Sequence, residues 1–179
     1  VRGLLLRALL AQVEAEAGAP VAAQTLAALG LGRLAEDSLH TPADVLRTVR
    51  AAALALSDLP GGEPAALRRL GRAVVEAFHR QSAIRMGGGQ GLAPASASGF
   101  PALRALAGDS AWAVLPTGAS SLLLQVEGEP LPVALLEGAL VAELAQRGLK
   151  GEVVSQPLLP GTCHYLVCWL DPRARSHRG

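Results

Sequence analysis

From Ala111 to Leu170 the chain reads as strand, strand, helix, strand, strand, closing on Cys163-His164-Tyr165-Leu166-Val167-Cys168-Trp169. Apolar runs at 111–115 and 120–127 flank Pro116-Thr117-Gly118, whose proline and glycine suit a tight reversal and predict a hairpin. A helix is expected over 132–147, then strands over 152–156 and 162–170 linked by 157–161. This ordered run specifies an α+β domain.

Ahead of it the pattern is helical. Leu4, Leu5, Leu9, Leu10 and Val13 recur at helical spacing until Gly18, and a second short helix over 20–29 stops at Gly30 and Gly32. Thr41-Pro42-Ala43-Asp44 is a variant capping box, with Thr41 as N-cap and Asp44 reaching back, opening a helix that runs to Leu56. The next helix, over 64–86, sets Leu67, Leu70, Val74, Phe78 and Gln81 against Arg68, Arg69, Arg72, Glu76 and Arg80, a core side and a water side. The run 87–99 has no periodicity and reads as a connector or a loop ordered by binding, and a short helix over 100–107 follows. The layout is one domain over 1–171, mainly helical to 107, with a polar tail over 172–179 expected to fray.

The helix over 132–147 is apolar on both sides. Ala134, Gly138, Ala142 and Ala145 form a small-residue stripe suited to close approach by a sheet or another helix. Val133, Leu136, Leu140 and Leu144 form a bulky stripe whose expected neighbour is either the N-terminal helices or a partner chain.

A chain of 179 residues, half of them hydrophobic, can bury about 70% of its unfolded surface in one core. Charged residues are 17% of the chain, against about 25% in typical domains, and the apolar excess is Ala and Leu, which favours closely packed helices. A net charge of +1 supplies no basic face for nucleic acid. Lys150 is the single lysine, a usage that GC-rich codon bias explains as readily as function. Cys163 and Cys168 lie five apart in one predicted strand, point to opposite faces and should not bond, so a cytoplasmic location is expected. Arg7 cuts the opening apolar run too short for a secretory core, and no stretch of about 20 uncharged apolar residues predicts a membrane span. Val1 in place of methionine is compatible with processing or truncation of a longer protein.

Catalytic and metal chemistry find little support in the residues. His164 and Cys168 share a strand face but sit about 13 Å apart at about 3.3 Å per residue, whereas zinc ligands converge to about 2.0–2.3 Å of the ion. Cys163 points the other way, so buried strand cysteines and no metal are expected. His79 falls beside Arg72 and Glu76 on the helical wheel and is expected to be solvated and paired with Glu76. His40, just before the Thr41 cap, reads as a loop residue. Gly87-Gly88-Gly89-Gln90-Gly91 follows a helix and lacks the strand-then-helix setting of a phosphate cradle. There is no G-x-S-x-G elbow, no H-E-x-x-H and no cysteine with basic neighbours, and Glu127, Glu129 and Glu137 suggest no shared cleft, so no enzymatic activity is expected.

Through Arg2-Gly3-Leu4-Leu5-Leu6, Leu70-Gly71-Arg72-Ala73-Val74-Val75-Glu76, Leu135-Leu136-Glu137-Gly138-Ala139-Leu140 and the closing Cys163-x-Tyr165-x-Val167-x-Trp169, the chain resembles a bacterial family of paralogues of unknown function best known from myxobacteria. Its layout is similar to the superfamily of haem nitric-oxide/oxygen-binding (H-NOX) sensors, 4-vinyl reductase domains and TRAPP transport-complex subunits. That resemblance implies a helical subdomain packed on a four-stranded antiparallel sheet, with a ligand pocket or partner groove between them. The haem sensors carry a proximal histidine before the sheet and a Tyr-x-Ser-x-Arg element that grips the propionates. Here Gln125-Val126-Glu127-Gly128-Glu129 stands about where that element falls, 87–99 holds no histidine, and Glu127 and Glu129 would repel propionates.

The reading is therefore a non-catalytic, signalling-type domain without a cofactor, binding a small apolar ligand or a protein partner. Leu67, Leu70, Val74, Phe78 and Trp112 are the expected pocket walls. Two alternatives stand beside it. One is a haem-based gas sensor with His79 as axial ligand; the other is a structural homodimer joined through Val133, Leu136, Leu140 and Leu144.

Overall fold

Helices α1 (Gly3–Ala17), α2 (Ala19–Ala28), α3 (Pro42–Ala55) and α4 (Gly62–Met86) precede the strands β1 (Ala111–Gly118) and β2 (Ser121–Glu127). Helix α5 (Val133–Gln146) then leads to β3 (Lys150–Leu159) and β4 (Thr162–Leu170). The computed structural model describes residues 3–30, 40–86, 100, 102–103 and 110–170, and of 82–86 the backbone alone. The expected loop at 87–99, most of the helix at 100–107 and the tail from Asp171 lie outside the described residues.

The strands form one antiparallel sheet in the order β1-β2-β4-β3, so the chain is an α+β protein with its helices ahead of and between two hairpins. Both hairpins run further than the sequence pattern suggests. β1 continues through Pro116 to Gly118, with a register shift there, and reverses at Ala119-Ser120 rather than at 116–118. β3 likewise continues through Pro157, which pairs with Cys163, and reverses at 160–161. The cause is the same in each case. β1 and β3 are the two edge strands, and an edge strand tolerates a proline because its missing N–H can fall on the unpaired side.

Local chemistry sets the helix starts. The Thr41 hydroxyl accepts from the Asp44 N–H at 3.2 Å and the Asp44 carboxylate accepts from the Thr41 N–H at 3.1 Å, completing the capping box that opens α3. The Arg47 guanidinium, 2.6 Å from Asp44, helps the two Thr41 hydrogen bonds hold that carboxyl at about 2. α1 buries Leu5, Leu6, Leu9 and Val13, and an ion pair of 2.7 Å between Glu16 and Arg69 ties it to α4.

The layers stack as sheet, then α5, then α4, with α1 and α3 behind. α5 is the pivot. A Cβ added to Gly138 would lie 2.0 Å from the carbonyl oxygen of Arg68, and one added to Gly71 would lie 2.0 Å from that of Leu135. The two helix backbones thus touch where only hydrogen fits, closer than side-chain ridges normally allow. The small stripe expected on this helix meets α4 at Gly138. Leu144 faces the other way, beneath Gly151 of β3, and Leu136, Leu140 and Leu144 are all buried in the chain's own core. Arg68 adds an ion pair of 2.7 Å to Glu137, whose carboxylate also accepts from the Ser155 hydroxyl, so one side chain joins α4, α5 and β3.

Gly71→Ala and Gly138→Ala should each cost about 3 kcal/mol, because the methyl must push one main chain off another. Urea unfolding of the two variants checks this, and a loss below about 1 kcal/mol in both would contradict backbone contact at the crossing.

Candidate functional site

Two groups of polar side chains enter the apolar interior. The first lies where α4 and α5 diverge from their crossing. Gly71, Val75 and His79 fall at four-residue intervals, and Gly71 and Val75 are buried, so His79 is the third member of the ridge that faces α5. Its Nε2 shares a hydrogen bond of 2.9 Å with Oε2 of Glu143, a side chain with no exposure at all. The other carboxylate oxygen of Glu143 accepts the Ala102 N–H at 3.3 Å. The Arg147 guanidinium sits 5.3 Å from the centre of the Phe100 ring, a second tie between α5 and the segment before the sheet.

This corrects the expectation of a solvated His79 paired with Glu76. Glu76 is exposed and takes no part in the pair. A helical wheel centred on Leu67, Leu70, Val74 and Phe78 describes one buried face, but α4 has a second, toward α5, and His79 belongs to it. Glu143 carries a legible signal: it falls beside Leu136 on the wheel, at the edge of the bulky stripe. A carboxylate there must be paired once the stripe is buried.

The second group lies at the opposite end of α5. A concavity of about 380 Å³ opens between the β3–β4 turn, the inner face of β4 and the residues leading into α5. Leu131, Val133, Pro157, Leu158, Leu159 and Pro160 give it apolar walls, and Glu129, Cys163 and Tyr165 give it a polar floor. Leu158 and Leu159 stand 47% and 70% exposed, an apolar rim open to water.

The floor is held from several directions. The Glu129 N–H donates to the Gly161 carbonyl at 3.0 Å, joining the end of β2 to the β3–β4 turn. The Glu129 carboxylate, 8% exposed, accepts from the Leu131 N–H and the Ser110 hydroxyl, each at 2.9 Å. Burial pushes this carboxyl up from its ordinary value, against the opposing pull of those two donors. Burial likewise raises the Cys163 thiol and the Tyr165 phenol, and the thiol donates to the His164 carbonyl at 3.5 Å. Both therefore stay neutral near pH 7, and the floor offers hydrogen bonds from desolvated side chains.

The other expected residues fall elsewhere. Leu67, Leu70 and Val74 lie in the continuous core, with Phe78 and Trp112 partly buried against it, and none of the five lines this concavity. The Trp112 indole nitrogen is buried without a hydrogen-bond partner among the described residues. Val133 is half-buried at the concavity wall, apart from the three buried leucines of its stripe. Cys163 faces the interior, while His164 and Cys168 lie on the opposite face of β4. Among the described residues no three His, Cys, Asp or Glu side chains converge on a point that could hold a metal ion. Among those residues, too, no helix is long and apolar enough to cross a membrane.

Residues 1–170 match the family described as Protein of unknown function (DUF2378). The chain belongs to that family. No curated protein sequence matches it. Solved structures do. An H-NOX protein from S. oneidensis in the Fe(II)NO ligation state is 12% identical with a TM-score of 0.69, the match covering 96% of this chain and 100% of that one. The Fe(II) unliganded H-NOX protein from K. algicida is 9% identical with a TM-score of 0.66, covering 96% and 97%. A T. tengcongensis H-NOX variant is 10% identical with a TM-score of 0.67, covering 96% and 99%. At such identities the likeness is one of fold, and it extends over nearly the whole of each chain.

Two outcomes are expected from the buried carboxylates. Glu143→Ala strands the His79 ring and the Ala102 N–H together and should cost roughly 3 kcal/mol, whereas Glu76→Ala should stay within about 0.5 kcal/mol; equal losses in thermal unfolding would contradict the pairing. For Glu129, a raised carboxyl favours the fold below the unfolded value near 4.5, and that advantage is lost as pH climbs through the folded value. Glu129→Gln should flatten the decline of stability above about pH 4.5, read from denaturant midpoints across pH, and an unchanged slope would count against it.

Proposed function

We propose that this chain is a non-catalytic, haem-free ligand-binding domain of signalling type, and that the concavity between the β3–β4 turn and the start of α5 receives a small, uncharged, largely apolar ligand. The observation that carries this is the site itself: about 380 Å³, apolar walls and a desolvated, hydrogen-bonding floor, the usual makeup of a small-molecule site. In this reading the family is a myxobacterial-type set of cytoplasmic paralogues that keep the sensor architecture shared with 4-vinyl reductase domains.

The fold likeness to H-NOX proteins raises haem as the group to test. Haem needs an axial ligand free to reach its iron and cations for its propionates. His79 gives its Nε2 to Glu143, and Leu70, Val74, Leu103 and Leu140 are fully buried in the chain's continuous core. Gln125 and Glu127 on β2 point away from the helices, and Glu129 is acidic and already bonded. These residues do not fit the group, which supports the haem-free reading.

Titration with Nile red, an uncharged apolar dye, tests the site. One molecule should bind per chain, and Val133→Trp, which fills the concavity from its wall, should weaken binding at least about tenfold, or about 1.4 kcal/mol. Binding unaffected by Val133→Trp would place the apolar site elsewhere.

A further inference from the structure

The helices cover one face of the sheet, and across the other face the register lays four aliphatic side chains in one row. Leu115 pairs with Leu123, Leu123 with Leu166, and Leu166 with Val154, so each strand contributes one member in spatial order. Leu115, Leu166 and Val154 are 46%, 40% and 62% exposed, and Leu123 is half-buried. The adjoining rows are polar: Gln125, His164 and Gln156 on one side, and Ser121, Cys168 and Glu152 on the other.

We propose that this row is a self-docking surface, on which a second copy of the chain packs sheet to sheet. The arrangement is self-complementary. A two-fold axis between β2 and β4, parallel to the strands, sets Leu115 against the partner's Val154 and Leu123 against the partner's Leu166, the reciprocal pairing an isologous dimer requires. The same axis brings no like charges together. Glu152 meets the glycine end of β1, where Gly118 pairs with Ser121, and His164 meets the partner's Gln125.

The dimensions predict how tightly the copies hold. Four strands at about 4.8 Å spacing and about seven residues at about 3.4 Å rise give a footprint on the order of 450 Å² per copy, or roughly 900 Å² for the pair. Stable complexes bury about 1,200 Å² or more, so the dimer is weak and reversible. The charges also favour a protein copy over a lipid surface. Glu152 adjoins the row and Glu127 and Lys150 lie one row beyond, whereas an anionic membrane selects a cluster of basic side chains.

Sedimentation equilibrium from about 10 μM to about 1 mM, a span suited to weak association, should show the mass rising from 18.3 kDa toward twice that value. The double variant Val154→Lys, Leu166→Lys should weaken association at least about tenfold with an unchanged circular dichroism spectrum and thermal midpoint, because both side chains point into water. Three results would overturn the proposal: a monomer throughout, an equally tight dimer in the variant, or a chain that stays monomeric in buffer yet co-sediments with phosphatidylcholine vesicles through the same row.

Discussion

The structure depends on the crossing of α4 and α5, where Gly71 meets the Leu135 carbonyl and Gly138 meets the Arg68 carbonyl, main chain to main chain. That contact fixes the depth of α5 between α4 and the sheet, and three consequences follow. Val75 and His79 continue the α4 ridge, which brings His79 onto Glu143. Leu144 is left facing Gly151, so the same helix seals the sheet. The start of α5 overhangs the β3–β4 turn and forms one wall of the concavity. A side chain at either glycine would lift α5 and disturb all three. The tolerance is narrow because packed interiors have little free volume with which to absorb a shift.

Much of this architecture is legible in the residues. The order of strands and helices, the capping box at Thr41 and the two-sided α5 all follow from local chemistry, which a sequence carries directly. Gly138 is recognisable within its small stripe, but its counterpart Gly71 is not, since one glycine inside an amphipathic helix does not announce which neighbour it meets. The strand ends differ from expectation because Pro116 and Pro157 are turn formers by propensity, and only the sheet order reveals that both lie on edges.

The polar interior is less legible, for a different reason. His79 belongs to a second buried face of α4, and a periodic pattern averaged around one apolar stripe hides a second. Glu129, Cys163 and Tyr165 come together only through a turn on one hairpin and the hydrogen bond from Glu129 to Gly161 on the other. Cys163 and Tyr165 are visible as a strand motif, and Glu129 as an acidic residue where a cation is sought. What joins them is long-range topology, and no spacing within the sequence encodes it.

The H-NOX-like fold carries two polar groups at opposite ends of α5 in this chain. His79 is hydrogen-bonded to the buried Glu143 carboxylate, while the opening lies at the far end of α5, beneath two exposed leucines. Native mass spectrometry of the chain, purified from cells supplied with haem, tests this division of roles most directly. The account predicts the protein mass alone or with one small organic molecule that Val133→Trp eliminates; a haem-mass adduct lost in His79→Ala would contradict it.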